Sequence, residues 1–330
     1  MKILITGGAG YIGSTIASAL IDNNHTPIIL DSLVNGKEAF TTNRIFYKGD
    51  IADESILEQI FTDHKDIACT IHCAALIVVP DSVANPYEYY MENVYKSLKM
   101  FKKINDLGCK RIVFSSSASV YGATDTYVVN EETPLNPQSP YARTKQMMEQ
   151  ILIDFCAAYD MKAILLRYFN PIGADPKFRS GSYIKNPSHL LGKLITASAS
   201  NEEFNLTGVN WDTRDGTGIR DYIHVWDLAL AHVKAVERFD EVVTDDYEVI
   251  NLGNGEGVTV REFVDAFEKV SGKKLAVCET PPRPGDVAGA YAGTEKARRL
   301  LGWSTQYSVE EAIRDSLAWD ERFYKATNAQ

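Results

Sequence analysis

The stretch "KILITGGAGYIG" covers residues 2–13 and decides the fold. "KILIT" (2–6) has the apolar β-forming character of a strand, and a helical pattern runs from about Tyr11 to Asn23. Between them lie Gly7, Gly10 and Gly13, spaced G-x-x-G-x-x-G. Glycines at such a turn let backbone approach a pyrophosphate. The helix that follows offers its free N–H groups and the positive end of its dipole. Spacing alone also fits a bare tight turn. Asp31 strengthens the dinucleotide reading, because it ends the next strand, "TPIIL" (26–30), 18 residues beyond Gly13. An acid there bonds the adenosine ribose hydroxyls and repels a 2′-phosphate, which favours NAD over NADP. Asp50, after a third strand "IFYK" (45–48), fits either an adenine contact or a helix cap.

Outward from this stretch the same alternation continues. A helix is expected near 53–64, a buried strand in "ACTIHCAA" (68–75), a helix over roughly 86–107 and a strand in "RIVFSSS" (111–117). A long helix follows from Tyr141, then a sixth strand, "KAILLR" (162–167). Such a rhythm predicts an α/β fold with a doubly wound parallel sheet of the Rossmann type, helices on both faces and ligands at the strand ends. Residues 170–222 lose the period. "IHVWDLALAHVKAVE" (223–237) is helical again, "YEVINLG" (247–253) suits a seventh strand, and helices are expected near 259–270 and 308–323. We therefore expect a dinucleotide-binding domain from 1–169 plus about 221–252, and a smaller α/β substrate domain from about 170–220 plus 253–330.

Composition narrows the partners. The chain has 330 residues, enough for a large core and a smaller companion. A net charge of −10 argues against nucleic acid or an anionic membrane as the main partner. No apolar stretch approaches a membrane span. Cys69, Cys73, Cys109, Cys156 and Cys278 are odd in number and contain no C-x-x-C pair, which suits free thiols in a reducing cytoplasm. The six histidines show no ligand spacing, so no metal is expected.

"PYARTK" (140–145) holds the chemistry. Tyr141 and Lys145 lie one helical turn apart, after a strand that ends in Ser115, Ser116 and Ser117 in the ligand crevice. A free phenol titrates at about 10. A lysine charge about 6 Å away, at an effective dielectric of about 20, favours the phenolate by about 3 kcal/mol. That is about two pK units, so Lys145 is expected to make Tyr141 a usable general base while Ser117 polarises a substrate hydroxyl.

"GGAGYIG", "SSSASVYG", "SPYARTK", "LRYFNPIGA" and "DGTGIRDYIHVWDLA" together resemble the extended short-chain dehydrogenase/reductase family, and within it the UDP-glucose 4-epimerases, from Met1 to about Trp319. The resemblance implies oxidation of a UDP-hexose at C4 to a ketone by NAD, rotation of the keto sugar, and reduction from the other face. It implies Tyr141 as base and then acid, Ser117 on the 4-hydroxyl, and Lys145 on the nicotinamide ribose. Cofactor contacts are implied for Gly7, Gly10, Tyr11, Ile12, Gly13, Asp31, Asn35, Asp50, Ile51, Ala74 and Asn93, with Phe169 near the nicotinamide. Substrate contacts are implied for Asn170, His189, Leu190, Arg220, Arg283, Asp286 and Ala290. A homodimer through helices near 86–107 and 141–159 is also implied.

Three departures from the family stand out: Ile77 where a cation is common, His189 where asparagine is common, and one residue fewer between Ser117 and Tyr141. Ala290 stands where a bulky tyrosine excludes N-acetylhexosamines, so activity on UDP-GlcNAc and UDP-GalNAc is expected; Tyr291 next to it makes that inference depend on register. A 4,6-dehydratase would need acids at Ala118 and Ser119. A UDP-uronate 4-epimerase or a decarboxylase would need an extra cation, and a plain dehydrogenase would release NADH. A NAD-bound scaffold would not need all three catalytic positions filled.

Overall fold

In the computed structural model of the chain the described residues are 1–122, 124, 126–183, 187, 189–282 and 287–328, side chains beyond 323 excepted. Seven parallel strands form the central sheet: β1 (Lys2–Thr6), β2 (Thr26–Asp31), β3 (Ile45–Lys48), β4 (Ile67–His72), β5 (Arg111–Ser115), β6 (Lys162–Tyr168) and β7 (Tyr247–Leu252). Their spatial order is β7-β6-β5-β4-β1-β2-β3. The chain winds outward from β1 to β3, then returns to lay β4 against the other side of β1. That reversal opens a crevice at the C-terminal ends of β1 and β4, where such sheets bind ligands. Thr6 is in register with both Leu30 and His72, so the turn after β1 and the loop after β4 emerge side by side.

Alternation along the strands fills two cores. Ile3 and Ile5 point to one face, where they meet Ile16 and Leu20 of helix α1 (Tyr11–Asp22). Leu4 points to the other, against Leu57, Met100, Phe101, Met148 and Leu152. These belong to helices α2 (Glu54–Asp63), α3 (Lys96–Asp106) and α4 (Pro140–Tyr159). The helix expected over 86–107 is a composite. A π-helical turn, Tyr90–Tyr95, joins Pro86–Tyr89 to α3 and carries the fully buried Asn93.

Two expectations need correction. The segment 170–222 is not without order. It holds helix α5 (Leu190–Ser200), whose Leu191 and Leu194 pack into a third apolar cluster with Phe263, Phe267 and Ile313. Gly192 and the serines weaken its local helix signal, and tertiary packing forms it. The helix read from 223 begins at Val225 (α6, Val225–Glu237), because Tyr222–His224 pairs with Asn170–Ile172 and His224 caps the helix. Helices α7 (Val260–Ser271) and α8 (Val309–Asn328) complete the third cluster.

Two buried histidines are locked neutral. His72 bridges Thr6 Oγ1 (2.6 Å) and Ser97 Oγ (2.9 Å), and burial pushes it down to about 3. His232 donates from Nδ1 to Leu228 O at 2.9 Å, and burial pushes it down to about 4. Between those values and about 6.5 the unfolded chain binds more protons than the folded one, so stability falls as pH falls through that window. Chemical denaturation at pH 7.5, 6, 5 and 4 should show a steady decline. His232→Gln should flatten part of it.

Candidate active site

Gly7 and Gly13, at either end of the turn after β1, have no room for a side chain. Gly7 has φ +72°, and a Cβ there would lie 2.7 Å from Ala74 N; one on Gly13 would lie 2.3 Å from Gly7 O. No side chain caps α1 at Gly10, which leaves the first-turn N–H groups for an outside acceptor. Asp31 sits beside this turn, buried, accepting from Ala9 N (2.9 Å) and Leu33 N (2.8 Å). The acid thus fixes the glycine turn and keeps free lone pairs on both oxygens. A cradle closed to any Cβ, an uncapped helix end and a buried acid fit a dinucleotide such as NAD.

The other expected cofactor residues divide. Ala74 lies against Gly7, and Ile51 is buried close by Asp50. Asp50 bonds Lys96 Nζ (2.6 Å) and Ala52 N (2.8 Å); Asp53 is the cap of α2, so the cap reading of Asp50 falls. Tyr11 donates its hydroxyl to Gly173 O at 2.6 Å, leaving its backbone N–H and that of Ile12 for a cofactor. Asn93 braces the structure: Nδ2 donates to Leu76 O and Thr144 Oγ1, and Oδ1 accepts from Leu76 N. Asn35 is exposed on the loop after β2. Phe169 is buried with Val120 and Val129, next to Ala118 and Ala290.

Ser117, Tyr141 and Lys145 converge at the end of β5. Pro140 opens α4 and Ser139 caps it through Ala142 N, which sets Tyr141 and Lys145 on one buried face. Strand β5 stops at Ser115, and Ser117 caps the short turn Ala118–Val120 by accepting from Ser119 N at 3.2 Å. The expected electrostatics need revision. Burial raises the Tyr141 phenol, and the hydrogen bond with Ser117 lowers it. Lys145 instead donates to Ser115 O at 2.8 Å and lies 5.0 Å from the centre of the Phe114 ring. Burial lowers its own value to about 8. The ammonium is thus anchored to the strand end, and Ser117 makes the contact that eases ionisation of the phenol.

Polar residues that the sequence reading missed support this site. One turn beyond Lys145, Glu149 takes Ser116 Oγ (2.5 Å) and a two-pronged ion pair with Arg167 (2.9 and 2.6 Å). Arg167 reaches Tyr121 Oη, which donates to Asn251 Oδ1 at 2.6 Å. On the far side Cys73 Sγ, Ser115 Oγ and His232 Nε2 form a chain of 3.2 and 3.1 Å contacts. Glu149 lies four residues after Lys145, a spacing that marks a shared face; the others meet only in space. Among the described residues the buried Ser119 hydroxyl, beside Ser117, has no partner.

On the substrate side Asn170 Nδ2 donates to Asp221 O at 3.0 Å. His189 caps α5 by accepting from Gly192 N, ahead of Leu190. Arg220 donates to Ile219 O (2.8 Å) and Ala288 O (2.7 Å), beneath the strand Gly289–Ala292. Gly289 has φ +119°, and a Cβ there would lie 1.8 Å from the backbone oxygen of Ile219, so the close approach of the two strands needs that glycine. Ala290 and Ala292 share a face with Phe169, whereas Tyr291 packs toward Gly257. Arg283 and Asp286 lie outside the described residues. Ile77 is 54% exposed.

Residues 3–253 match the model of the NAD dependent epimerase/dehydratase family. The chain belongs to that family. Among similar proteins, the UDP-glucose 4-epimerase of Bacillus subtilis (strain 168) is 40% identical over 331 residues, covering 97% of this chain and 96% of the relative. A UDP-glucose-4-epimerase from Stenotrophomonas maltophila, solved with NAD and formylated UDP-arabinopyranose, superposes with a TM-score of 0.94 at 35% identity over 99% of both chains. The UDP-Glc/GlcNAc 4-epimerase of Campylobacter jejuni gives 0.83 at 34% identity, over 97% of this chain and 99% of that one.

Removing one partner of the Glu149–Arg167 pair strands a buried charge. Glu149→Ala should destabilise the protein by about 3–5 kcal/mol, measured by urea unfolding. The double change Glu149→Met with Arg167→Met should cost much less.

Proposed function

We propose that this protein is a NAD-dependent UDP-glucose 4-epimerase that interconverts UDP-glucose and UDP-galactose through a 4-keto sugar. The observation that carries the reading is the convergence of Ser117, Tyr141 and Lys145 on the crevice that the glycine turn and Asp31 border. The glycine turn and Asp31 would hold NAD, which when bound would supply the hydride chemistry at C4. Tyr141 takes the proton of the 4-hydroxyl and later gives it back; the single Ser117 O–H eases ionisation of the phenol in the free site and turns to hold the substrate oxygen when the sugar is bound. Lys145, fixed to Ser115 O, supplies positive charge beside the reacting centre.

The nucleotide must be gripped while the sugar turns. Asn170 and Arg220 stand where the family binds the diphosphate, and Leu190 follows the capping His189 with its backbone toward the substrate. We assign Arg283 and Asp286 the remaining diphosphate and uridine ribose contacts from sequence alone. The chain divides by role: 1–169 with 221–252 hold the cofactor, and 170–220 with 253–330 hold the UDP-sugar.

Activity on UDP-GlcNAc and UDP-GalNAc belongs to the proposal. Ala290 faces the cluster of Phe169 and Ala118, close to Ser117, and Tyr291 points the other way, so the register favours a small residue toward the sugar. A homodimer is supported by exposed Val83, Tyr87, Tyr95, Leu98 and Met147, which share the region of α3 and α4. The apolar stripe of α3 itself, Met100, Phe101 and Ile104, is spent on the core. Five free cysteines suit a cytoplasmic setting, and among the described residues no helix is long and apolar enough to cross a membrane.

Assay of four UDP-hexoses by NMR tests the reading. Tyr141→Phe should lower kcat about 10²–10⁴-fold with NAD binding retained; unchanged turnover would overturn the proposal. Ala290→Tyr should abolish turnover of the two N-acetylhexosamines and leave UDP-glucose within a few-fold of the parent. Equal loss on both classes would refute the specificity assignment.

A further inference from the structure

Residues 173–183 cross the face of α1 and are fastened to it at three points. Tyr11 Oη donates to Gly173 O at 2.6 Å. Thr15 Oγ1 meets Ser180 Oγ at 3.1 Å. Asp22 pairs with Arg179, at 2.9 and 3.0 Å. Tyr183 ends this strap. A Cβ built on Gly10 would lie 3.9 Å from its hydroxyl, so the phenol stands over the glycine turn.

The ring is fixed from several sides. It meets Phe40 edge-on at 5.5 Å, and Phe40 packs on Trp319 at 5.9 Å. Trp319 Nε1 donates to Ser182 O at 2.6 Å, pinning the preceding residue. Lys37 Nζ lies 5.2 Å from the ring centre, on the loop whose Lys37 N donates to Ala9 O. Yet among the described residues the Tyr183 hydroxyl has no hydrogen-bond partner. Burial, then the charge of Asp31, push the phenol up to about 12, so it remains a donor at any working pH.

We propose that Tyr183 is a cofactor latch: its hydroxyl donates to the phosphate–ribose half of NAD lodged on the glycine turn and sets how tightly the cofactor is retained. This rests on the reading of the site as a NAD site. It also gives the chain a grip on that half that does not depend on position 77, where isoleucine offers no charge.

The test compares the full-length protein with Tyr183→Phe, which keeps the ring and its packing, and Tyr183→Ala, which removes both. Bound nucleotide is stripped, and NAD and ADP-ribose are titrated by calorimetry. Loss of one hydrogen bond to a charged acceptor should raise Kd about 10-fold, equally for NAD and ADP-ribose. The thermal midpoint of ligand-free Tyr183→Phe should match the parent, while Tyr183→Ala should melt lower. If the parent binds NAD and Tyr183→Phe binds both ligands as well as it does, the latch is wrong and the cofactor reading stands. A loss for NAD with ADP-ribose unaffected also overturns the assignment, because it puts the contact elsewhere. A parent that binds neither nucleotide overturns the latch and the site reading together.

Discussion

Lys145 is a lysine in a dry crevice, and much of the site follows from keeping it there. Its ammonium has lost water, and the main replacements are the Ser115 carbonyl at 2.8 Å and the face of Phe114. Burying such a charge is costly unless neighbours compensate. Glu149, one turn along α4, contributes a negative charge, and Arg167 balances that acid in turn. Since Ser115, Ser116 and Ser117 are consecutive, the lysine, the Glu149 network and the Ser117–Tyr141 contact all act on one strand end. Shifting α4 by a residue would break all three together.

Much of this was legible in the sequence, because local rules govern it. The strand–glycine–helix turn, Asp31 closing β2, Pro140 opening α4 and the Tyr–Lys spacing each depend on a few neighbouring residues. The seven strands follow from apolar runs that alternate with helical periods. What escaped depends on distance in space. Helix α5 has weak propensity around Gly192 and forms because Leu191 and Leu194 find Phe263 and Ile313. The bracing of the loop after β4 and of α4 by the two amide hydrogens of Asn93 likewise carries no local signal.

The electrostatic expectation failed for an instructive reason. Coulomb's law with a uniform dielectric counts the attraction between ammonium and phenolate and omits the burial of each. In the folded chain burial is the first cause acting on both groups, and it moves both toward neutrality: the phenol upward, the ammonium to about 8. A hydrogen bond from a neighbouring hydroxyl, invisible to charge counting, is what favours the phenolate. Any cation brought close to Tyr141 would therefore act on a phenol that burial holds above its ordinary value and that Ser117 only partly brings back.

The two ligands of such a site make opposite demands, and the chain separates them. The cofactor must stay, and the groups around it are rigid: glycines that exclude any Cβ, a buried acid tied to the backbone, and a strap registered on α1 at Tyr11, Thr15 and Asp22. On the proposed reading the sugar must turn, and the apolar cluster of Ala118, Ala290 and Phe169 would offer it no side-chain hydrogen bonds that hold one face. In that reading polar grip falls to Arg220 and Asn170, whose side chains are themselves braced by backbone carbonyls. A wall that binds neither sugar face preferentially would, on the proposed reading, let both C4 configurations present their oxygen to the same Ser117–Tyr141 pair, which inversion at a single carbon requires.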